Sequence, residues 1–198
     1  MRTRIAAVAA GVFALTLLIT GCSTAEVPAA PDAAQSQGAE GTVAALAGLD
    51  AREVIEQLDT TALADRPDGL QASIRPDELV LVDASGDDLV MPMPEDQVYV
   101  AFAPYASQTH DCTFHAPNSC VGEMQDAAIA ITITDAATGE VYVDEQATTY
   151  DNGFIGYWLP RDVDASVLVT AADGKSGSIE ITTRGAAAPT CITTLQIA

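Results

Sequence analysis

Residues 108–120, QTHDCTFHAPNSC, hold both histidines of the chain and two of its four cysteines. Imidazole nitrogen and thiolate sulfur are the donors that soft and borderline metal ions select, so this crowding points to metal or redox chemistry. His110 and Cys112 lie two apart, and in extended chain both side chains leave the same face. Phe114 and His115 lead into Ala116-Pro117-Asn118-Ser119, a turn able to swing Cys120 back toward Cys112. Cys191 opens the last strand-like stretch, and a final strand can lie beside a central one. Three thiolates with one or two imidazoles suit Cu(I) first. Zinc is second, because closely paired ligands such as C-x-x-C are absent. An iron–sulfur cluster is third, with three cysteines where four are usual.

The fourth cysteine has a different assignment. The chain opens Met1-Arg2-Thr3-Arg4 and continues with an apolar stretch of 16 residues from Ile5 to Thr20. That is short of the roughly 20 needed to span a bilayer, and it reads as a signal peptide over 1–21. Ile19-Thr20-Gly21-Cys22 resembles a bacterial lipobox, which makes Cys22 a lipidation site; the competing reading is an ordinary secretory signal with a coincidental cysteine. Cys112, Cys120 and Cys191 then remain, an odd number in an oxidising compartment. The structural alternative to a metal site is a Cys112–Cys120 disulfide closing a short loop, with Cys191 buried. Cysteine arithmetic weighs the two equally, and the two histidines tip the balance. Met91 and Met93 read as strand-edge packing, Met124 as at most a weak ligand, and Trp158 as a core aromatic. No acid–base pair or nucleophilic triad supports a hydrolase.

Charge narrows the partners. Removing residues 1–21 takes Arg2 and Arg4 but no acid, so basic residues fall from 8 to 6 against 28 acids, and net charge goes from −20 to −22. Nucleic acid and anionic membrane surfaces would repel such a protein. Most of the carboxylates read as a solvated surface.

The elements that must position the cluster follow a Pro/Ala/Gln/Ser/Gly-rich tether over 22–41. In LDAREVIEQLDTTALA, Asp50 and Glu53 form a capping box, and Val54, Ile55 and Leu58 make a helical apolar stripe. Arg66-Pro67-Asp68-Gly69 is turn chemistry. Strands are expected at 70–74, 78–83 and 88–94, completing a helix-plus-hairpin module over 42–96. From 97 to 198 the pattern is nearly all β, with strands at 98–105, 127–135, 141–150, 154–160, 166–173, 176–183 and 191–197. The fold class is therefore α+β, mainly β: a small N-terminal module, then an antiparallel β-sandwich-like domain carrying the cluster.

APYASQTHDCTFHAPNSCVGEM, NGFIGYWLPRD and the closing TCITTLQIA together resemble the CueP family of periplasmic copper-binding proteins. LDAREVIEQLD, DRPDGLQASIRPDELVLVD and MPMPEDQVYVAFAPY fit the same family. The resemblance implies a V-shaped homodimer joined through the N-terminal module, with Cys112, Cys120, Cys191, His110 and His115 at a copper site. It also implies reduction of Cu(II) to Cu(I) by the thiols, a thioredoxin-like reductant, and delivery to a periplasmic copper enzyme such as superoxide dismutase. The lipobox and tether depart from the soluble family pattern and imply anchoring to the cell envelope. Two other classes compete: a thiol–disulfide exchange protein, and a structural lipoprotein domain with a stabilising disulfide.

Overall fold

The computed structural model describes residues 42–198. The expected signal peptide over 1–21 and tether over 22–41, with the proposed lipidation site Cys22, lie outside the described residues. A short helix, α1 (Thr42–Leu46), precedes α2 (Ala51–Thr60). Asp50 caps α2 as its sequence requires: its carboxylate accepts from Glu53 N, and Glu53 Oε2 accepts from Asp50 N, both at 3.0 Å. The helix stops earlier than the quoted stretch. The Thr60 and Thr61 hydroxyls donate back to the carbonyls of Glu56 and Gln57, offering the backbone a local alternative to another turn. Ala51, Val54, Ile55 and Leu58 are buried on one face.

Among the described residues, ten strands form three sheets. β1 (Gln71–Ile74), β2 (Glu78–Val82) and β3 (Asp88–Pro92) make an antiparallel meander. β4 (Gln97–Phe102), β7 (Ile155–Pro160) and β10 (Cys191–Ile192) make a central sheet in the order β10-β4-β7. β5 (Ala128–Asp135), β6 (Val141–Thr148), β8 (Asp164–Ala171) and β9 (Ser176–Thr182) make the third, ordered β6-β5-β8-β9 and wholly antiparallel.

The central sheet serves two cores, because successive strand side chains point to opposite faces. Tyr99 and Ala101 join α1, α2 and the β1–β3 sheet, with Cys191 beside them. Val98, Val100 and Phe102 face the other way, onto Ile129, Ile131, Ile133, Val167 and Val169. Each such large apolar side chain removed from water stabilises the fold by about 1.5–3 kcal/mol.

The terminal strand departs from expectation. A strand over 191–197 is expected, but ladder pairing covers only Cys191 and Ile192, and it is parallel to β4 rather than antiparallel. Beyond it, Tyr105 N donates to Leu195 O and Ile197 N to Tyr105 O, so the segment follows the chain leaving β4 without forming a regular strand. The Thr193 carbonyl is also engaged by the Thr109 hydroxyl rather than by a ladder partner.

One close backbone crossing holds the loops above the central sheet. Gly153 sits at φ +78°, and a Cβ there would lie 2.6 Å from Gly122 O. Gly122 N donates to Asn152 O at 2.7 Å across the same gap. Gly153→Ala is expected to destabilise the protein by about 2 kcal/mol, lowering its melting temperature by roughly 4–8 °C. An unaltered thermal melt would show that the crossing has slack.

Candidate metal centre

The 25 residues between β4 and β5 (103–127) carry the cluster and are irregular, but they are pinned at many points. Ile74 N donates to His115 O at 2.8 Å, attaching the loop to the edge of β1. Asn118 accepts from Ala72 N at 2.9 Å and donates to the Leu70 carbonyl. Ser119 N and Cys120 N both donate to Ala116 O, the turn expected from Ala116-Pro117-Asn118-Ser119. Glu123 gathers the amides of Ala106, Ser107 and Gln108. With the Ser107 hydroxyl donating as well, its carboxyl is held down at about 2. Thr190 N and Cys191 N both reach Thr113 O, drawing the start of β10 beneath the loop.

These constraints bring together all five residues singled out from the sequence. The Sγ atoms of Cys112 and Cys120 are 3.8 Å apart, and Cys191 Sγ lies 3.8 Å from His115 Nδ1. Ligand atoms converge in two trios: His110, Cys112 and Cys120 in one, His115, Cys120 and Cys191 in the other, each within 4.8 Å. Both imidazoles lie near the Phe154 ring, at centroid distances of 4.5 Å for His115 and 6.4 Å for His110. Met91 and Met93 are buried in the core beneath the helices, and Met124 packs in the opposite core. Trp158 is half-buried against Tyr99, with the Arg52 guanidinium 4.2 Å above its ring.

The cysteine pairing differs from the structural alternative. The disulfide joins Cys112 to Cys191, Cα atoms 5.6 Å apart, and among the described cysteines Cys120 is the free thiol. The parallel contact of β10 with β4 carries Cys191 under the loop, a juxtaposition spanning 79 residues that no local spacing reveals.

Beneath the sulfurs lies a buried polar network that the sequence reading missed. His115 Nε2 is 2.9 Å from Asp59 Oδ1, and both side chains are fully buried. Tyr99 OH donates to Asp59 Oδ2 at 2.5 Å, and Asn152 Nδ2 donates to Asp59 Oδ1 at 3.1 Å. Burial alone would raise the Asp59 pKa, but the imidazolium and the two donors hold it below its ordinary value. Burial likewise works against the His115 charge, yet the Asp59 carboxylate beside it lifts the pKa to about 9. The signal was present in the helix: Asp59 is four residues after Ile55 and one after Leu58, which places a carboxylate on the buried stripe.

The same charges act on sulfur. Burial pushes the Cys120 thiol up, while its contact with the His115 imidazolium and the nearby Arg66 pull it below its ordinary value. Arg66 Nη2 donates to Cys120 O at 3.0 Å, and its Nε is buried with no hydrogen-bond partner among the described residues. The free sulfur therefore sits where anionic thiolate is favoured, the form that binds metal and attacks disulfides.

The family model for the periplasmic copper-binding protein CueP matches residues 53–196. A solved structure described as the crystal structure of S.CueP is 34% identical to this chain. It matches with a TM-score of 0.72, over 83% of this chain and 99% of its own. No curated protein matches. Copper, the first metal expected from the donor set, agrees with these matches, and zinc receives no support from them.

Proposed function

This chain belongs to the CueP family of periplasmic copper-binding proteins, and from that premise we propose that its sulfur–imidazole cluster takes copper as cargo, reduces Cu(II) to Cu(I), and passes Cu(I) on. The observation that carries the reading is the convergence of three cysteines and two histidines in two trios over a buried Asp59–His115 pair. Imidazoles accept Cu(II), while thiolates prefer Cu(I), so a mixed set favours one-electron reduction of the bound ion. Two thiolates, Cys112 and Cys191, supply two electrons: two Cu(II) become two Cu(I) as one S–S bond forms, and the thiol protons go to solvent. The bond between these two cysteines is the product of that step. An outside thiol, from a thioredoxin-like partner, must then exchange the disulfide open before the next cycle.

The setting is part of the same reading. Cys22 carries the lipid that tethers the protein to the envelope, residues 42–96 provide a dimerisation module ahead of the metal-binding part at 97–198, and a periplasmic copper enzyme receives the ion.

The test uses fully reduced, oxygen-free protein mixed with Cu(II). Cu(I) is followed with a chelating dye, and thiols are mapped by mass spectrometry. About two Cu(I) per protein are expected as a Cys112–Cys191 bond appears, with at least a fivefold smaller yield for Cys112→Ser. Intact thiols and no Cu(I) would refute the reductive reading. One observation favours a second reading, thiol–disulfide exchange on other proteins: the free Cys120 lies 3.8 Å from a disulfide sulfur. Insulin reduction with turnover in the absence of metal would establish it.

A further inference from the structure

The two donor trios differ in position and match in chemistry. In the outer one, His110 is exposed and Cys112 and Cys120 are half-buried. In the inner one, His115 and Cys191 are buried, at 0% and 2% exposure, and the Phe154 ring covers the imidazole. Each consists of one imidazole and two sulfurs, and Cys120 belongs to both. With thiols reduced and ionised, Cu(I) has the same donor set in either place, so the two differ in solvent access and in the Asp59 carboxylate that backs His115 alone.

Resting on the copper reading above, the geometry points to a two-station path for Cu(I): an outer exchange station at His110, Cys112 and Cys120, an inner holding station at His115, Cys120 and Cys191, and Cys120 as the pivot that stays bound throughout. Transfer outward replaces His115 and Cys191 by His110 and Cys112. No electron moves, and no ligand outside the two trios is required. The outer station opens beside a cavity of about 280 Å³ lined by Tyr105, Thr109, His110, Val121 and Glu123, among others, where an incoming ligand can approach the ion.

The disulfide closes both stations at once. Cys112 belongs only to the outer trio and Cys191 only to the inner, so their bond removes one sulfur from each and leaves the shared Cys120 free. Oxidised protein has no complete trio among the described residues. Copper retention is thereby tied to the thiol state, and oxidation of that pair makes the ion leave.

The test loads reduced protein with one equivalent of Cu(I) and transfers it to bathocuproine disulfonate. Equilibrium competition reads affinity, and stopped flow reads the transfer rate. His110→Ala and Cys112→Ser are expected to slow transfer at least tenfold while weakening affinity less than tenfold. Cys191→Ser is expected to do the reverse, weakening affinity at least a hundredfold and speeding transfer. The path is overturned if His110→Ala and Cys112→Ser hand over Cu(I) at the wild-type rate, or if they weaken binding as much as Cys191→Ser does. The last result would mean one joint site. Wild-type protein that takes up no Cu(I) would overturn the copper reading itself.

Discussion

Asp59→Asn is expected to destabilise the oxidised, metal-free protein by about 3 kcal/mol and to flatten the upper part of its pH profile. The substitution keeps the side-chain shape but turns one accepting oxygen into a donor and removes the charge that the buried His115 faces at 2.9 Å. His115 has its pKa raised from 6.5 to about 9, against the pull of burial. A raised pKa stabilises the fold fully below the unfolded value of 6.5, and that contribution is lost as pH climbs through 9. Asp59, held below its ordinary 3.8, contributes above that value and loses its contribution on acidification. Stability of the native protein is therefore expected to be greatest between about pH 4 and 6.5 and to decline toward pH 9. Denaturant titrations at pH 5.5, 7.5 and 9.5 read this directly. If Asp59→Asn retained the decline above pH 6.5, the slope would belong to another group. The same carboxylate holds Nε2 and so leaves Nδ1 facing Cys191. Its loss is expected to weaken Cu(I) binding by about 10- to 100-fold, the usual effect of removing a group that orients a ligand.

Reduction of the Cys112–Cys191 bond should have an effect of similar size. The bond closes a loop across a separation of 79 residues. Chain entropy assigns such a cross-link about 4.5 kcal/mol of stabilisation against the unfolded ensemble. Adding a thiol reductant to metal-free protein is expected to shift its denaturation midpoint accordingly. Cu(I) should then restore part of the loss, about 2.7 kcal/mol at a free concentration a hundred times the Kd. Cys191→Ser should resemble reduced protein with or without reductant. A midpoint shift worth less than about 1 kcal/mol would show that the loop is held by its hydrogen bonds alone.

Much of this arrangement is legible in the residues, and the division follows the range of the interactions. The α2 cap needs only Asp50 and Glu53, three apart, and it is present. The alternation Ile129, Ile131, Ile133 marks a half-buried strand, and all three are buried. The turn at 116–119 is written in its own residue types. What a linear reading loses is contact between distant segments. Asp59 was visible as a helical residue and invisible as the partner of His115, 56 residues away. The Cys112–Cys191 bond depends on a two-residue parallel pairing at the chain end, too short to leave a periodic signal. The same brevity explains why a strand over 191–197 is expected and two residues are found. Tyr99 carries strand character whatever its hydroxyl does, so its bond to Asp59 has no sequence signature.

The two-faced central sheet bears on how the molecule can move. A hinge needs residues free to change backbone angles while the bodies on either side stay intact. From Val98 to Phe102, β4 is buried at every residue, alternately in one core and the other, paired with β7 along its length and with β10 at Ala101 and Phe102. Swinging one layer away from the other would strip Tyr99 and Ala101, or Val98, Val100 and Phe102, of their neighbours. The strand is a shared spine and cannot serve as a jaw joint. Motion that admits or releases an ion therefore falls to exposed parts of the 103–127 loop, where His110 is exposed and touches the core only at the Phe154 ring. Fast local fluctuation there, over a scaffold that opens only by unfolding, should appear as rapid amide exchange around residues 109–112 and slow exchange through β4.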